Sequence, residues 1–303
     1  MVEIKSIKLA PFTLMSSTVQ AILALIAAII MLLFFGIAGA FFPNIGAAIA
    51  LIGVAIVIIY PIAAFFIGLT TNFFTAFLYN TLVPRLGGVK LEMAGNDVTE
   101  VPIVPFSLIL AAIEAIWAFI FGLFLAAAIA PITALISGSI PLVSEAIANA
   151  TNTTGAALPT GAAVGAFGVI SALILIIALP IFVFIVGFIG HALAAIFYNY
   201  AATKVAAIKL EFVAISETLH ELKTIPPIPA ALAVAVVFTI FGAIQGIFNL
   251  ISASAGGDPT SGAIALVVDI VGNFIMYFII VALGAFIYNF LVPRIGGIKL
   301  DLE

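Results

Sequence analysis

Four side chains able to do acid–base or hydrogen-bond chemistry stand in stretches that are otherwise hydrocarbon: Gln20, Asn72, Glu114 and His191. Their spacing is regular. Gln20 and Glu114 each lie nine residues after a proline, Pro11 and Pro105. Asn72 and His191 each lie seven residues before a tyrosine, Tyr79 and Tyr198. At 1.5 Å of rise per helical residue, both positions fall ~10–14 Å from the same end of their helices. Gln20 is therefore expected to meet Asn72, and Glu114 to meet His191. Polar groups at membrane depth are costly enough to count as functional hypotheses. Glu114 and His191 then have two readings: a proton- or cation-responsive pair lining a path, or a hydrogen-bonded clasp between helices. Clasps of that kind are common in membranes and individually modest. Phe238 and Val281 stand at the matching positions of the last third of the chain.

Other polar groups carry less. Asp269, nineteen residues before Tyr288, is expected near the outer surface, solvated rather than binding an ion. Asn273, with Gln245 and Asn249, extends a polar stripe whose simpler reading is helix packing. His220 is expected to be exposed in a connector. The chain has no cysteine, so disulfides, thiolate metal sites and cysteine nucleophiles are excluded. No phosphate-binding loop, dinucleotide fingerprint or His-Glu-x-x-His pattern occurs. The expectation is no enzyme, no metal and no cofactor.

The elements that must position these groups follow from composition. Of 303 residues, 65% are hydrophobic and 7% charged, against roughly a quarter charged in ordinary soluble domains. Mean hydropathy is +1.43. Apolar runs such as 21–42 and 169–190 meet the ~20 residues needed to cross a bilayer core. The first run is too long for a cleaved signal and reads as a retained span. A net charge of −4 without a basic block gives no footing for nucleic acid.

One pattern occurs three times. Tyr79-Asn80, Tyr198-Asn199 and Tyr288-Asn289 are each followed by a base six residues after the tyrosine (Arg85, Lys204, Arg294). A second base comes eleven residues after it (Lys90, Lys209, Lys299), then leucine and an acid. A proline-containing signature opens each unit, at Ile7–Phe12, Val101–Phe106 and Ile225–Pro229. Three tandem hairpin repeats result, at 2–93, 98–213 and 214–303, each with two spans. In the third, 229–252 and 263–289 are the expected spans and 253–262 the loop. In the first two, Pro61 and Pro180 interrupt the return, leaving 46–60 and 162–179 as apolar helix that tilts, packs outside or re-enters the membrane.

With six spans all nine bases fall on one side, which the positive-inside rule assigns to the cytoplasm together with both termini. The Tyr-Asn pairs are then expected at the inner headgroup level. Beyond each pair the period changes to strand-like alternation, at 89–93, 208–212 and 298–302. Residues 4–9 and 98–104 also read as extended, and 216–223 as a short surface helix. The short strands are expected to pair between units, with Gly87-Gly88 and Gly296-Gly297 supplying turns. Triplets at Asn149 and Asn152 fit the glycosylation sequon on the predicted exterior.

The closing motif of Tyr-Asn, a polar turn, Gly-Gly and an amphipathic strand resembles a small two-span actinobacterial transmembrane family of unknown function. That resemblance covers about fifteen residues per repeat and implies a hairpin-plus-strand unit with no catalytic residue. Ala206-Ala207 in place of Gly-Gly, and the three fused copies, depart from it.

The expected fold is thus an all-α integral membrane protein, with six helices as three hairpins in pseudo-threefold arrangement and short cytoplasmic strands at the repeat ends. Two functions are open: a structural or interaction protein scaffolding a partner or anionic lipid through its cytoplasmic strands, or a channel or small-solute transporter along Glu114 and His191. Expected partners are the lipid bilayer and a cytoplasmic or membrane protein, or a second copy of the chain.

Overall fold

The computed structural model describes residues 1–41, 46–151 and 161–303. Among the described residues, six helical segments are long and apolar enough to cross a membrane: Leu9–Phe41, Gly46–Leu86, Ile103–Thr133, Ala166–Val205, Pro227–Ala255 and Pro259–Ile295. Their outward faces carry side chains that water would reject. Phe34, Ile59, Phe124, Ile170 and Phe248 are each more than half exposed. Exposed hydrocarbon on this scale marks a surface made for another apolar phase. The chain has the architecture of a multi-pass membrane protein.

In chain order the elements are β1 (Val2–Ile7), α1 (Leu9–Phe41), α2 (Gly46–Leu86), β2 (Val89–Ala94), β3 (Asp97–Glu100) and α3 (Ile103–Thr151). There follow α4 (Gly161–Leu173), a π-helical turn at Ile174–Ala178, α5 (Leu179–Phe197), a second π turn at Tyr198–Ala202 and α6 (Thr203–Val205). The chain then forms β4 (Glu211–Ala214), β5 (Leu219–Thr224), α7 (Pro227–Ala255), α8 (Pro259–Ile295) and β6 (Lys299–Leu302). Packing divides the chain into two compact units, Met1–Ile109 with Ala192–Glu303, and Leu110–His191.

Several boundaries differ from those expected of the sequence. The loop expected at 253–262 shrinks to three residues, because Pro259 starts α8 and the Asp258 carboxylate accepts the Ser261 N–H at 3.1 Å. Proline in the first turn and an acidic N-cap are both strong helix-start signals. Residues 46–60 continue into the return as one helix through Pro61. Before Pro180 the π turn widens the helix where the ring would collide with the carbonyl four residues back. Of residues 216–223, expected as a short helix, 219–223 instead belong to a strand, Leu219–Thr224, between β4 and β6. Leu9 belongs to α1 and residues 103–104 to α3, although an extended backbone is expected at both. The triplet at Asn152 lies outside the described residues, and that at Asn149 falls at the end of α3.

The strands make an antiparallel sheet in the order β3-β2-β1-β6-β5-β4. Its two ends are themselves joined. The Val98 N–H donates to the Ile208 carbonyl at 2.8 Å and the Leu210 N–H to the Asn96 carbonyl at 2.8 Å, around a bridge between Asp97 and Lys209. The sheet therefore closes into a small six-stranded ring. Charged residues alternate with apolar ones along each closing strand. Leu300 and Leu302 are buried, whereas Lys299 and Asp301 are half-buried. Two apolar clusters sit where helices meet the ring, one around Met15, Leu222, Tyr288 and Leu291, the other around Val98, Tyr198, Ala233 and Val237.

Candidate functional site

Each Tyr-Asn pair ends a returning helix by fastening it to the ring. The Tyr79 hydroxyl donates to the Ile4 carbonyl at 2.7 Å and accepts from the Val89 N–H at 2.9 Å. Tyr198 does the same between the Val98 carbonyl, 2.6 Å, and the Ile208 N–H, 3.1 Å. Tyr288 joins the Leu222 carbonyl, 2.6 Å, to the Ile298 N–H, 3.0 Å. In all three cases the two bridged residues face one another across neighbouring strands. Ile4 pairs with Val89, and the Val98 and Leu222 N–H groups donate to the Ile208 and Ile298 carbonyls. An antiparallel pair of this kind normally exchanges two bonds. Here the phenol is inserted into the second.

The asparagine holds the chain three residues further on. The Asn80 carboxamide accepts from the Ile7 N–H and donates to the Ile7 carbonyl, both at 2.8 Å. Asn199 binds both backbone groups of Val101, and Asn289 both of Ile225. These three residues each stand four before the opening proline, so this carboxamide links the opening and closing signatures. The tyrosines are 4–6% exposed. Their tips point inward: backbone polar groups at the helix–sheet junction need partners, and the tyrosine hydroxyls supply them.

Glycine permits the junction. A Cβ at Gly88 would lie 2.2 Å from the Ile4 carbonyl oxygen, and one at Gly297 2.3 Å from that of Leu222. Their neighbours Gly87 and Gly296 adopt φ of +82°. Ala206 takes the equivalent place in the middle segment with an extended backbone, φ −159°. The π turn beginning at Tyr198 precedes this alternative exit.

Acids and bases on the ring are matched. Glu3 pairs in register with Lys90, Asp97 with Lys209 and Glu221 with Lys299. Lys90 lies 3.8 Å from Glu3 and Lys209 lies 3.4 Å from Asp97. The Gly88 N–H, opposed in part by burial and aided by Lys5 and Lys90, holds the Glu3 carboxyl below its ordinary value. Burial raises the Glu221 carboxyl, but the Gly297 N–H with Lys223 and Lys299 outweighs it and the net direction is down. Lys8 and Ser6 hold Asp301 down. Arg85, Lys204 and Arg294 are exposed in the last turns of their helices. There they complement the negative helix end. The Arg294 guanidinium lies 3.6 Å from the Phe290 ring centroid.

Within the spans, the expected polar partners lie as follows. His191 Nε2 is 2.9 Å from Glu114 Oε1. Asn72 donates to Gln20 at 3.2 Å and to the Ser17 hydroxyl at 3.1 Å. Asp269 accepts from Asn249 at 2.8 Å, and its backbone carbonyl from Asn273 at 2.6 Å, so this group joins α7 to α8. His220 lies in β5, with its Nδ1 2.9 Å from the Thr218 carbonyl.

A further position is easily missed in the sequence. Gly68 and Gly187 each lie eleven residues before their tyrosine, and a Cβ there would come within 2.5 Å of Gln20 Oε1 or 2.4 Å of Glu114 Oε2. The third segment has Tyr277 at this place, stacked on Phe238 with ring centroids 3.7 Å apart. A signal does exist: aligning on Tyr-Asn pairs small residues with long polar partners and one aromatic with another. Among the described residues, no three His, Asp or Glu side chains are grouped to hold a metal ion.

No family model matches the chain, and comparison with curated proteins and with solved structures finds no similar protein. The class is accordingly drawn from the molecule itself: a multi-pass helical membrane protein.

Proposed function

We propose that the chain is a membrane scaffold of three tandem hairpins, 2–93, 98–213 and 214–303, with both termini and the strand ring in the cytoplasm. The observation that carries this reading is the recurrence of one set of bonds at Tyr79, Tyr198 and Tyr288. Repetition fits a hairpin-plus-strand unit of the kind found in the two-span actinobacterial family that the closing motif resembles. Because the Asp97–Lys209 bridge ties the two ends of the sheet together, strand addition by a partner at that seam is disfavoured. A partner would read the charged outer side of the ring, and anionic lipid would meet Arg85, Lys204 and Arg294.

The native chain has no cysteine, so single cysteines at these three bases can be labelled from either side of sealed vesicles. Modification from the cytoplasmic side alone is expected at all three. Reaction from opposite sides would sink the topology. Gentle extraction should then bring down a constant companion in fixed proportion.

The second reading, a channel or transporter for ions or small solutes, draws on the Glu114–His191 pair. Solute flux in reconstituted vesicles that disappears in Glu114→Ala would favour it over the scaffold.

A further inference from the structure

Two seams between neighbouring hairpins, the second with the third and the third with the first, contain equivalent cavities. One lies between α5 and α7, has a volume of about 300 Å³, and is walled by Ala194, Ala195, Tyr198, Val234, Val237 and Phe238. The other lies between α8 and α1, measures about 390 Å³, and is walled by Gly284, Ala285, Tyr288, Ser16, Val19 and Gln20. Eight wall positions correspond between the two. Each returning helix contributes its tyrosine and the residues three and four before it. Each opening helix contributes residues five, eight and nine after its proline. Val101 and Ile208 close the inner end of the first, Ile225 and Ile298 that of the second. A packing fault would have no reason to recur at matching residues.

Small residues keep these spaces open, since Ala194, Ala195, Gly284 and Ala285 stand where larger side chains would fill them. Empty volume in a packed interior is destabilising. Water is a poor filler of the first cavity, because its one polar side chain, Tyr198, already uses its hydroxyl on Val98 and Ile208. The second cavity shares Gln20 and Ile280 with a further space of about 670 Å³ that reaches Ile30 and Tyr60. Along α1 from Ser16 to Ile30 this is ~21 Å of helix, longer than the ~15 Å half-thickness of a bilayer core.

We propose that each of these two seams binds one acyl chain of a membrane lipid, held between the returning helix of one hairpin and the opening helix of its neighbour. This rests on the membrane-spanning reading above. The linings are mainly hydrocarbon, with Ser16 and Gln20 as polar additions in the second seam, the helices lie in the bilayer, and the acyl chain is the hydrocarbon at high concentration there. Lipid so held acts as packing material between hairpins, and its retention should depend on the seam residues rather than on the outer surface.

The test uses the full chain reconstituted in dioleoylphosphatidylcholine vesicles, extracted in mild detergent and examined by native mass spectrometry. Two lipids are expected to stay with the wild-type chain through washing. Val237→Trp should lose one, Val19→Trp the other, and the double variant both. Ala194→Leu fills the first cavity from the opposite wall and should also lose one, which serves if Val237→Trp does not fold. A wild-type chain stripped of lipid, or variants that retain the wild-type number, would overturn the proposal. Failure to insert into vesicles at all would instead count against the membrane reading.

Discussion

The hydroxyl of Tyr288 stands between the carbonyl of Leu222 and the N–H of Ile298, taking the place of a strand–strand hydrogen bond. Removing that oxygen leaves a carbonyl and an N–H that the backbone spacing cannot rejoin. Tyr288→Phe keeps the ring's packing and deletes only the bridge. Each stranded group costs ~1–3 kcal/mol, so unfolding in detergent should show a loss of a few kcal/mol. Tyr79→Phe and Tyr198→Phe should lose similar amounts. A variant as stable as the parent would show that the bridge contributes little.

Gly297→Ala forces a Cβ to within 2.3 Å of the Leu222 carbonyl oxygen, a backbone atom with no rotamer to escape into. It should be among the most damaging single-methyl substitutions in the chain, lowering stability by ~2 kcal/mol or more. Gly87→Ala, which meets no neighbour but sits at φ +82°, should cost ~1 kcal/mol. Thermal unfolding of the two variants in one detergent ranks them. The reverse order would show that the strands part readily at Gly297 to admit the methyl.

The Glu114–His191 pair can be tested through the glycine beneath it. Gly187→Ala places a methyl 2.4 Å from Glu114 Oε2 and should push the carboxylate off His191. Glu114→Ala in the same chain makes room again. The double variant should therefore be more stable than the sum of the single losses predicts, by ~0.5–3 kcal/mol. Simple additivity would mean that the methyl is accommodated elsewhere.

Acid should loosen the ring before the helices. Glu3, Glu221 and Asp301 all titrate below their ordinary values of 4.5, 4.5 and 3.8 in the folded chain. A depressed carboxyl contributes stability that is present above its unfolded pKa and is lost as pH falls through the folded one. Stability should hold from neutral pH to about 5 and decline below ~4. Glu221→Gln should flatten that decline and lower the neutral plateau. Hydrogen exchange at Gly297 and Gly88 across the range reads it directly, and protection unchanged down to pH 2 would contradict it.

The repetition of Tyr-Asn is plain in the sequence, because spacing survives where neighbours diverge. The use of the tyrosines is not. Their partners Ile4, Val98 and Leu222 are named by tertiary position, 66 to 100 residues away, and an aromatic with a polar tip near a helix end reads equally well as an interfacial anchor. Residues 219–223 mislead for a similar reason. Leu219-His-Glu-Leu suits a helix locally, and only pairing to both β4 and β6 makes it a strand. Gln20, Asn72, Glu114 and His191 are legible as pairs because they lie at fixed distances from the two signatures. Gly68 and Gly187 escape notice, since a missing side chain leaves no mark until its neighbour's length is considered.

The ring also constrains biogenesis. Strand β1 is synthesised before the six spanning helices described above and its neighbour β6 after them, so the Ile7–Leu300 pairing must wait until those helices have been made. Until the ribosome delivers Lys299–Leu302, β1 and β5 each present bare hydrogen-bonding groups, and all six helices have already entered their lipid surroundings. Nascent chains stalled a few residues short of that point should be unusually open to proteases and to one another, a vulnerable interval that ends in a single late step.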